Sequence, residues 1–263
     1  MRHSFLNTLV VAIISLATCL CLSYSIFGAG LYICTTPEAT KSIGSTFSGW
    51  DKAVFPKDDM ANIAENVRQF SLGEKTADEL STTVSDTIQK NYPQVSSALN
   101  SGDLSNEQLQ AELVTKLGTT SLSQLSQRYS LPQDAISHLS DCISIFTTGR
   151  ISIGVLCGLG LAGLVILGVM RGRSAVGKAL IVSALIVLVL IVALIFWAVV
   201  DFNSLFSAMH SAFFAKGTWL FDSNSLLIQL FPEAFWIAMA ALWALTSIIL
   251  SILVLIAGKI VKH

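Results

Sequence analysis

The sequence predicts an all-α integral membrane protein, in which four transmembrane helices carry a mainly helical extracytoplasmic domain. The chain has 263 residues, of which 53% are hydrophobic and only 13% are charged, and its mean hydropathy is +0.67. Soluble domains carry about a quarter charged residues, so this composition excludes an ordinary soluble protein. Four apolar runs reach the roughly 20 residues that a helix needs to cross a hydrocarbon core. They are residues 5–33, 151–170, 179–200 and 235–258.

The four runs are interpreted as helices because backbone groups in lipid must be hydrogen-bonded within their own segment. The second run is rich in glycine, and small residues allow the backbones of neighbouring helices to approach closely. Its glycines are Gly154, Gly158, Gly160, Gly163 and Gly168. This run is therefore predicted to pack tightly against another span.

The distribution of charge predicts the orientation of the spans. Basic residues stand at the two ends of the chain and in the turn between the second and third spans: Arg2, Arg171, Arg173, Lys178, Lys259 and Lys262. All 17 Asp and Glu residues lie instead in segments 34–150 and 201–236. Because cytoplasmic loops collect Lys and Arg, both termini and the 171–178 turn are predicted to be cytoplasmic, and the two acidic segments extracytoplasmic.

These boundaries divide the chain into five parts. They are transmembrane helix 1 (1–33), an extracytoplasmic helical domain (34–149), transmembrane helices 2 and 3 with their short turn (150–200), an outer interfacial segment (201–235), and transmembrane helix 4 with a cytoplasmic tail (236–263).

The first apolar run has two other interpretations. It resembles a cleaved signal peptide that ends in the small residues around Gly28 and Gly30, and the sequence before Cys19 resembles a lipoprotein cleavage site. The apolar region is too long for a typical signal peptide, Thr18 is bulky for the position before the cysteine, and the run continues beyond it. A retained membrane anchor is therefore favoured.

The first outer segment contains several predicted helices. Residues 35–50 are rich in Thr, Ser and Gly and are expected to be irregular, whereas Pro56 and the acids after it favour a helix that ends at Gly73. A second polar helix is predicted from Thr76 to the Tyr92-Pro93 pair, and a weak one from Ser105. No stretch between 76 and 130 resembles a catalytic motif, so this region is interpreted as a helical cap or spacer.

Residues that could take part in acid–base catalysis occur just before the second span. Pro132 and Asp134 are typical of a helix start, and this helix is expected to continue towards Arg150 and the span. His138 and Asp141 are three residues apart, which places them on one helical face. Such a carboxylate would fix the imidazole tautomer and orientation. The alternative is an ordinary surface pair that contributes ~0.5 kcal/mol or less.

The segment 201–236 lies between two spans and combines polar groups with several phenylalanines. A helical apolar stripe is predicted on Phe202, Leu205, Phe206, Met209 and Phe213. His210 falls beside this stripe, where a lone histidine is most often a core residue with a satisfied hydrogen bond. However, His138 and His210 are the only two of the four histidines that are predicted to face outward, and both stand near the outer end of a span. They form the sole acid–base pair available to the exterior.

Other classes of function lack support in the sequence. It contains no nucleotide-binding loop, no basic patch for nucleic acid and no charge within a span that would suggest an ion path. There is no CxxC pair and no zinc-like spacing, so no metal or other cofactor is predicted. Cys19, Cys21 and Cys157 are interpreted as apolar fillers. A disulfide between Cys34 and Cys142 remains open, since both lie near outer helix ends.

Several strings resemble those of a bacterial family of four-span membrane proteins, the lipoprotein intramolecular transacylases. The longest is MHSAFFAKGTWLF at 209–221, followed by LFPE at 230–233 and Phe235-Trp236. SHLSD at 137–141 and the segment 55–73 are also similar. The resemblance covers all four spans and most outer segments. The run from His210 to Phe221 is long enough to be specific for this family. The segment around 76–130 is longer than the family pattern and matches it poorly.

The resemblance implies an enzyme of the bacterial cell membrane that acts on a diacylated lipoprotein at the outer face. It would move the sn-2 acyl chain of the diacylglyceryl group to the α-amine of the lipoprotein's own N-terminal cysteine. The paired histidines of the family match His138 and His210. His210 would be the principal base and acid, and His138 its partner, oriented by Asp141.

The resemblance also suggests substrate-binding residues. Lys216, or backbone amides near Gly217 and Thr218, would stabilise the oxyanion. Trp219 and two neighbouring phenylalanines, Phe213 and Phe214, would line the surface that binds the acyl chains. These aromatic residues fit equally well as anchors at the membrane interface.

Three alternatives remain open at this point. Water could attack at the same site, which would make the chain a lipid ester hydrolase. The histidines could be structural in a non-enzymatic protein with a partner-binding outer domain, or could bind a metal with a carboxylate. Imidazoles within about 8 Å of each other, facing one cleft, would favour catalysis because a substrate atom or water then fits between them.

Overall fold

The computed structural model describes residues 2–104 and 121–263, with side chains from residue 7 onward. Within these ranges the secondary structure is helical and contains no strand. The α-helices are α1 (Arg2–Cys34), α2 (Pro37–Phe47), α3 (Lys57–Ser71), α4 (Ala77–Asn91), α5 (Pro93–Ser101), α6 (Leu122–Tyr129), α7 (Gln133–Arg171), α8 (Arg173–Phe213), α9 (Leu226–Leu230) and α10 (Glu233–Lys262). A short 3-10 helix covers Trp50–Lys52.

Four helices in the described part of the chain are long and apolar enough to cross a membrane: α1, α7, α8 and α10. Each contains one of the four apolar runs, so the all-α, multi-pass membrane fold is confirmed. α7 is longer than a span requires, and its residues 133–150 precede the apolar run, as predicted from Pro132 and Asp134.

The described residues form two compact units. The membrane unit comprises Met1–Cys34, Thr147–Ser207 and Ala240–His263. The second unit, here called the cap unit, comprises Thr35–Phe146 and Ala208–Met239. The three parts of the membrane unit contain the first three apolar runs and most of the fourth, whereas the cap unit contains most of the polar sequence.

Glycines and hydroxyl groups mediate close helix contacts in the membrane unit. A Cβ added to Gly163 of α7 would meet the Thr18 side chain of α1, and one added to Gly160 would meet Leu22 at 2.7 Å. Ser23 donates hydrogen bonds to the backbone oxygens of Cys19 at 2.7 Å and Ser183 at 3.1 Å. The predicted tight packing of the second span is therefore present at part of its glycines, because small residues let the backbones approach.

α8 is kinked at Asp201, whose backbone is extended (φ −158°, ψ 88°). The Asp201 carboxylate accepts a hydrogen bond from the backbone N–H of Ser204 at 2.9 Å, which caps the helical turns that follow. The kink separates the apolar span from residues 202–213. The last turns of α8, which carry His210, thus begin with their own N-cap.

The cap unit has an apolar core built from most of its helices. Fully buried side chains of this core include Trp50, Phe55, Met60, Ile63, Leu80, Leu125, Leu226 and Leu230. The rings of Phe55, Tyr92 and Tyr129 pack against one another at centroid distances of 5.0–6.0 Å. Gln229 also accepts a hydrogen bond from the backbone N–H of Val54 at 3.0 Å. Residues far apart in the sequence therefore share one core.

The predicted helices α3 and α4 are present, whereas the irregular segment predicted at 35–50 is wrong. That segment forms α2, in which the Thr36 side chain accepts from the N–H of Ala39 and Pro37 occupies the first turn. α5 and α6 were not predicted from the polar sequence that contains them. The weak helix predicted from Ser105 lies outside the described residues.

None of the five cysteines takes part in a disulfide, so the structure contains no bridge between Cys34 and Cys142. Cys142 donates to the backbone oxygen of His138 at 3.3 Å, one helical turn earlier. The pKa of the Cys142 thiol is raised to about 12, mainly by burial and in part by the nearby Asp141 carboxylate. The thiol is consequently neutral at physiological pH.

Candidate active site

His138 is positioned by the first turns of α7. The backbone N–H of Ile136 donates to the oxygen of Pro132 at 3.1 Å, which starts the helix. Ala135 and Leu139, the neighbours of His138 on the helix, are 2% and 5% exposed and anchor this face in the apolar core of the cap unit. His138 itself is half-buried. The packing of Ala135 and Leu139 therefore fixes the part of the helix backbone that carries His138.

His210 is positioned by the last turns of α8 and is only 7% exposed. Its backbone oxygen accepts from the N–H of Phe214 at 2.8 Å, so Phe214 is held one turn beyond it. The chain then reverses at Gly217, whose φ of +89° lies in a region that side chains disfavour. The reversal brings Trp219 back over His210, with their ring centroids 5.0 Å apart.

The imidazole rings of His138 and His210 converge from these two helices. Their centroids are 6.3 Å apart and the ring planes differ by 20°. This distance lies within the limit of about 8 Å named above as favouring catalysis. Such a separation leaves room for a substrate atom or a water that contacts both rings.

Three aromatic side chains surround the two imidazoles. Phe214 contacts both rings, at centroid distances of 4.5 Å from His138 and 5.5 Å from His210. Phe221 lies 5.5 Å from His138. Together with Trp219 these half-buried rings form an aromatic wall that limits the access of water to the imidazoles.

The electrostatic environment keeps His138 neutral. The pKa of His138 is lowered to about 4: burial is the largest cause, the nearby His210 also lowers the pKa, and the negative charge of Asp141 opposes both. The Nδ1 atom of His138 is buried and has no hydrogen-bond partner within the described residues. A buried nitrogen without a partner is costly, so this atom is available to a group that enters from outside the chain.

The expected hydrogen bond between Asp141 and His138 is absent. Asp141 is exposed, and His138, although three residues earlier on the same helix, turns towards the aromatic wall instead. Spacing on a helix brings two Cβ atoms near each other but does not decide the side-chain rotamers. In this structure Asp141 acts on His138 through its charge, and its role as an orienting partner stays a prediction.

The residues expected to bind substrate have different surroundings. Lys216, Gly217 and Thr218 are exposed, and the N–H of Thr218 already donates to the oxygen of Ala215 at 3.2 Å. That amide is thus engaged in the turn and is a poor oxyanion donor. Phe213 is 58% exposed and has no ring contact with either histidine, in contrast to the adjacent Phe214.

Phe221 is a site residue that the sequence analysis did not single out. It belongs to the specific 209–221 run, but its distance from His210 along the chain gave no indication that it would reach His138. The turn at Gly217 was the available signal, since a glycine followed by an aromatic run permits a reversal. No group of three or more His, Cys, Asp or Glu residues suited to a metal ion occurs in the part of the chain that the structure describes.

Comparisons with known proteins agree on one family. The family model described as lipoprotein intramolecular transacylase Lit matches residues 63–236. A structure of the membrane integral lipoprotein intramolecular transacylase Lit from Bacillus cereus is similar at a TM-score of 0.54 and 17% identity, and the match covers 96% of this chain and 95% of that one.

A structure of the same Bacillus cereus protein with a histidine-to-arginine mutation gives a TM-score of 0.53 at 16% identity, over 99% of this chain and 95% of that one. Among curated protein sequences, none matches this chain. At these identities the solved structures support the fold, and the family model supports the family.

Proposed function

The chain belongs to the lipoprotein intramolecular transacylase Lit family, and we propose that it transfers the sn-2 acyl chain of a diacylglyceryl lipoprotein to the amine of that lipoprotein's own N-terminal cysteine. The observation that carries this proposal is the convergence of His138 and His210, 6.3 Å apart within an aromatic wall. The product would be a lyso-form lipoprotein with an N-acyl cysteine and a free sn-2 hydroxyl group.

In the proposed reaction, His210 is the general base and then the general acid. The α-ammonium group of the cysteine has a pKa of ~7.7–8, so a histidine can remove its proton near neutral pH. The neutral amine attacks the sn-2 ester carbonyl, a C–N bond forms, and the C–O bond to the glycerol breaks. The ammonium proton passes through His210 to the solvent. As the C–N bond forms, the nitrogen gives a second proton to His210, which donates it to the departing alkoxide, so one proton is released overall and no water or cofactor is consumed.

His138 is proposed to bind the reacting group as a neutral imidazole. Its pKa of about 4 means that it carries no charge near pH 7, and its buried Nδ1 lacks a partner. That nitrogen would be satisfied by accepting a hydrogen bond from the amine N–H, or, as an N–H, by donating one to the developing oxyanion, and either bond would strengthen as charge develops. This role does not require Asp141 to contact the imidazole.

The proposed reaction needs no nucleophile from the protein. Amine and ester belong to one substrate molecule, so holding them in contact supplies several kcal/mol through effective concentration. The buried Cys142, with a pKa of about 12, offers no thiolate beside the histidines. The absence of a nucleophile motif in the sequence is consistent with direct attack.

The site is proposed to face the outside of the bacterial cell membrane. Both histidines lie in the segments that contain all the acidic residues, whereas the 171–178 turn and the two ends of the chain carry Lys and Arg without any Asp or Glu. This orientation would place both termini in the cytoplasm. Lys216 and the exposed Phe213 would then contact the lipid headgroups and chains of the bilayer or of the substrate.

Two other functions fit the site less well. A lipid ester hydrolase would need water at the ester, and the aromatic rings around the imidazoles limit such access. A non-enzymatic, partner-binding protein would not need two histidines from separate helices to converge. The unpaired Nδ1 of His138 also favours a site that receives a ligand over a histidine with a structural hydrogen bond.

The test is tandem mass spectrometry of a lipoprotein N-terminus, from a host whose lipoproteins are diacylated with a free amine. Intramolecular transfer conserves mass, so fragmentation must locate the acyl chain, and loss of amine reactivity must accompany it. We expect the N-acyl isomer when this chain is expressed. An unchanged diacyl form would contradict the proposal, and loss of one acyl chain would indicate a hydrolase.

The same assay tests the two histidines. General acid–base groups contribute about 10²–10⁴-fold to rate, so His210→Ala should lower the rate of N-acylation by that factor. The exposed His263 provides a control, and His263→Ala should leave the rate unchanged. Full activity in His210→Ala would exclude His210 as the base.

A further inference from the structure

Phe214 is the one side chain whose ring contacts both His138 and His210 among the ring pairs that the structure describes, and we propose that it is the positioning residue of the pair. It would hold the two imidazoles at their working separation and keep water from His138. This inference rests on the proposed function and assigns to Phe214 a task beyond lining an acyl chain.

The position of Phe214 is set by the backbone of His210. Its N–H donates to the His210 oxygen at 2.8 Å, which is the last hydrogen bond of the α8 helical pattern. Residues four apart on a helix lie on the same face, so the Phe214 ring stands beside the His210 imidazole with a 5.5 Å centroid distance and a 27° angle. The backbone of Phe214 is therefore tied to the helical turn that carries His210.

The same ring reaches the other helix. The Phe214 centroid lies 4.5 Å from that of His138, which is closer than the 6.3 Å between the two imidazoles. Contacts between aromatic rings at this range contribute about 0.5–1.5 kcal/mol beyond the burial of area. Phe214 is thus the shortest link between the two histidines, and its loss would leave a void at their junction.

A ring at this junction also determines how well His138 is solvated. The imidazole of His138 faces the His210 imidazole from α8 and the rings of Phe214 and Phe221. From its own helix, the Asp141 carboxylate acts on it through charge, and the Cys142 thiol donates to the His138 backbone oxygen. Burial is the largest cause of the low pKa of His138. Removing the Phe214 ring would admit water, which stabilises the imidazolium form.

The adjacent Phe213 supplies a matched control. It has the same side chain, lies one residue earlier, is 58% exposed and has no ring contact with either histidine. If the phenylalanines serve only as membrane anchors or as an acyl-chain surface, Phe213→Leu and Phe214→Leu should have similar effects. If Phe214 positions the histidines, only the second substitution should affect them.

The experiment is NMR titration of labelled histidines in the purified full-length protein, with His138 assigned from a His138→Gln sample. We expect Phe214→Leu to raise the His138 pKa from about 4 towards the ordinary 6.5, by about one unit or more. Phe213→Leu should leave it unchanged. An unchanged pKa in Phe214→Leu, or equal shifts in both variants, would overturn the inference.

Kinetics separate positioning from substrate binding. Loss of a positioning residue should lower kcat with little change in KM, whereas loss of an acyl-chain surface should raise KM. Phe214→Met, which retains a long apolar side chain, repeats the comparison if the leucine variant does not fold. The titration requires no lipoprotein substrate. If the protein has no transacylase activity, the proposed function is contradicted, but the titration still tests the role of Phe214. An active enzyme with an unchanged titration would contradict only the positioning role.

Discussion

The indole N–H of Trp50 donates a hydrogen bond of 3.2 Å to the backbone oxygen of Leu230. The two residues belong to the two separate chain segments that form the cap unit. Trp50 is 1% exposed, and a Cβ on Gly44 of α2 would collide with its ring. Leu230 ends α9, in the segment that follows the turn carrying Trp219 and Phe221. This contact therefore connects the segment that follows α1 to the segment that surrounds the histidines.

Replacing Trp50 should destabilise the cap unit. Trp50→Ala removes a fully buried side chain and leaves the Leu230 oxygen without its donor, and such truncations cost about 3–5 kcal/mol. Trp50→Phe keeps most of the apolar volume and should cost less, about 1–3 kcal/mol, because the hydrogen bond is lost. Chemical denaturation in detergent measures both. Phe47→Ala, at a site that is 50% exposed, is the control and should have little effect.

Two glycines on the same span should respond differently to alanine. A Cβ on Gly163 would overlap the Thr18 side chain, which is 3% exposed, whereas a Cβ on Gly158 meets nothing within 4 Å. Gly163→Ala should therefore separate α7 from α1 and cost about 1–3 kcal/mol, as overpacking does. Gly158→Ala should be neutral or slightly stabilising. Thermal unfolding of the two variants in the same detergent compares them, and equal losses would contradict the close contact.

Much of the fold could be predicted because its signals are local. The four spans follow from apolar length, and α4 follows from a capping box in which Thr76 and Glu79 satisfy each other's backbone groups. The same type of signal was available for α2, since Thr36 and Pro37 mark its start. It was outweighed by the Thr, Ser and Gly content of the segment, which is a property of composition and does not determine capping.

The arrangement of the site could be predicted only in part. The pair His138 and His210 followed from their orientation relative to the membrane, but the 6.3 Å between their rings depends on the packing of two helices. The contact of Phe221 with His138 depends on the reversal at Gly217. Asp141 was assigned from helical spacing, which could not indicate that His138 would turn away from it.

Asp141→Asn should have a small effect on catalysis. The carboxylate forms no hydrogen bond with His138 and only raises its pKa through charge. The amide lacks that charge, so the imidazolium loses a stabilising neighbour and the pKa of His138 should fall further below about 4. We expect less than about a tenfold change in the N-acylation rate, well below that of a general acid–base group. A loss as large as that of His210→Ala would instead restore Asp141 as an orienting residue.

The stability of the protein should decrease in acid partly because of His138. In the folded protein its pKa is about 4, against 6.5 in the ordinary state. Between these two values the unfolded chain binds a proton that the folded chain does not, so the free energy of unfolding rises with pH across this window. The stabilisation is fully present above pH 6.5 and is lost as the pH falls towards about 4.

The variant His138→Gln isolates this contribution because glutamine does not titrate. Since His138 is only half-buried, solvent screening reduces the effect, and we expect about 1 kcal/mol or a Tm change of about 2–4 °C. The Tm of the wild-type protein should fall more than that of His138→Gln between pH 7 and pH 4.5, measured in one detergent. His263→Gln, at an exposed position, should follow the wild type. Parallel decreases in wild type and His138→Gln would mean that His138 titrates alike in the folded and unfolded chains, and that the aromatic wall does not exclude water from it.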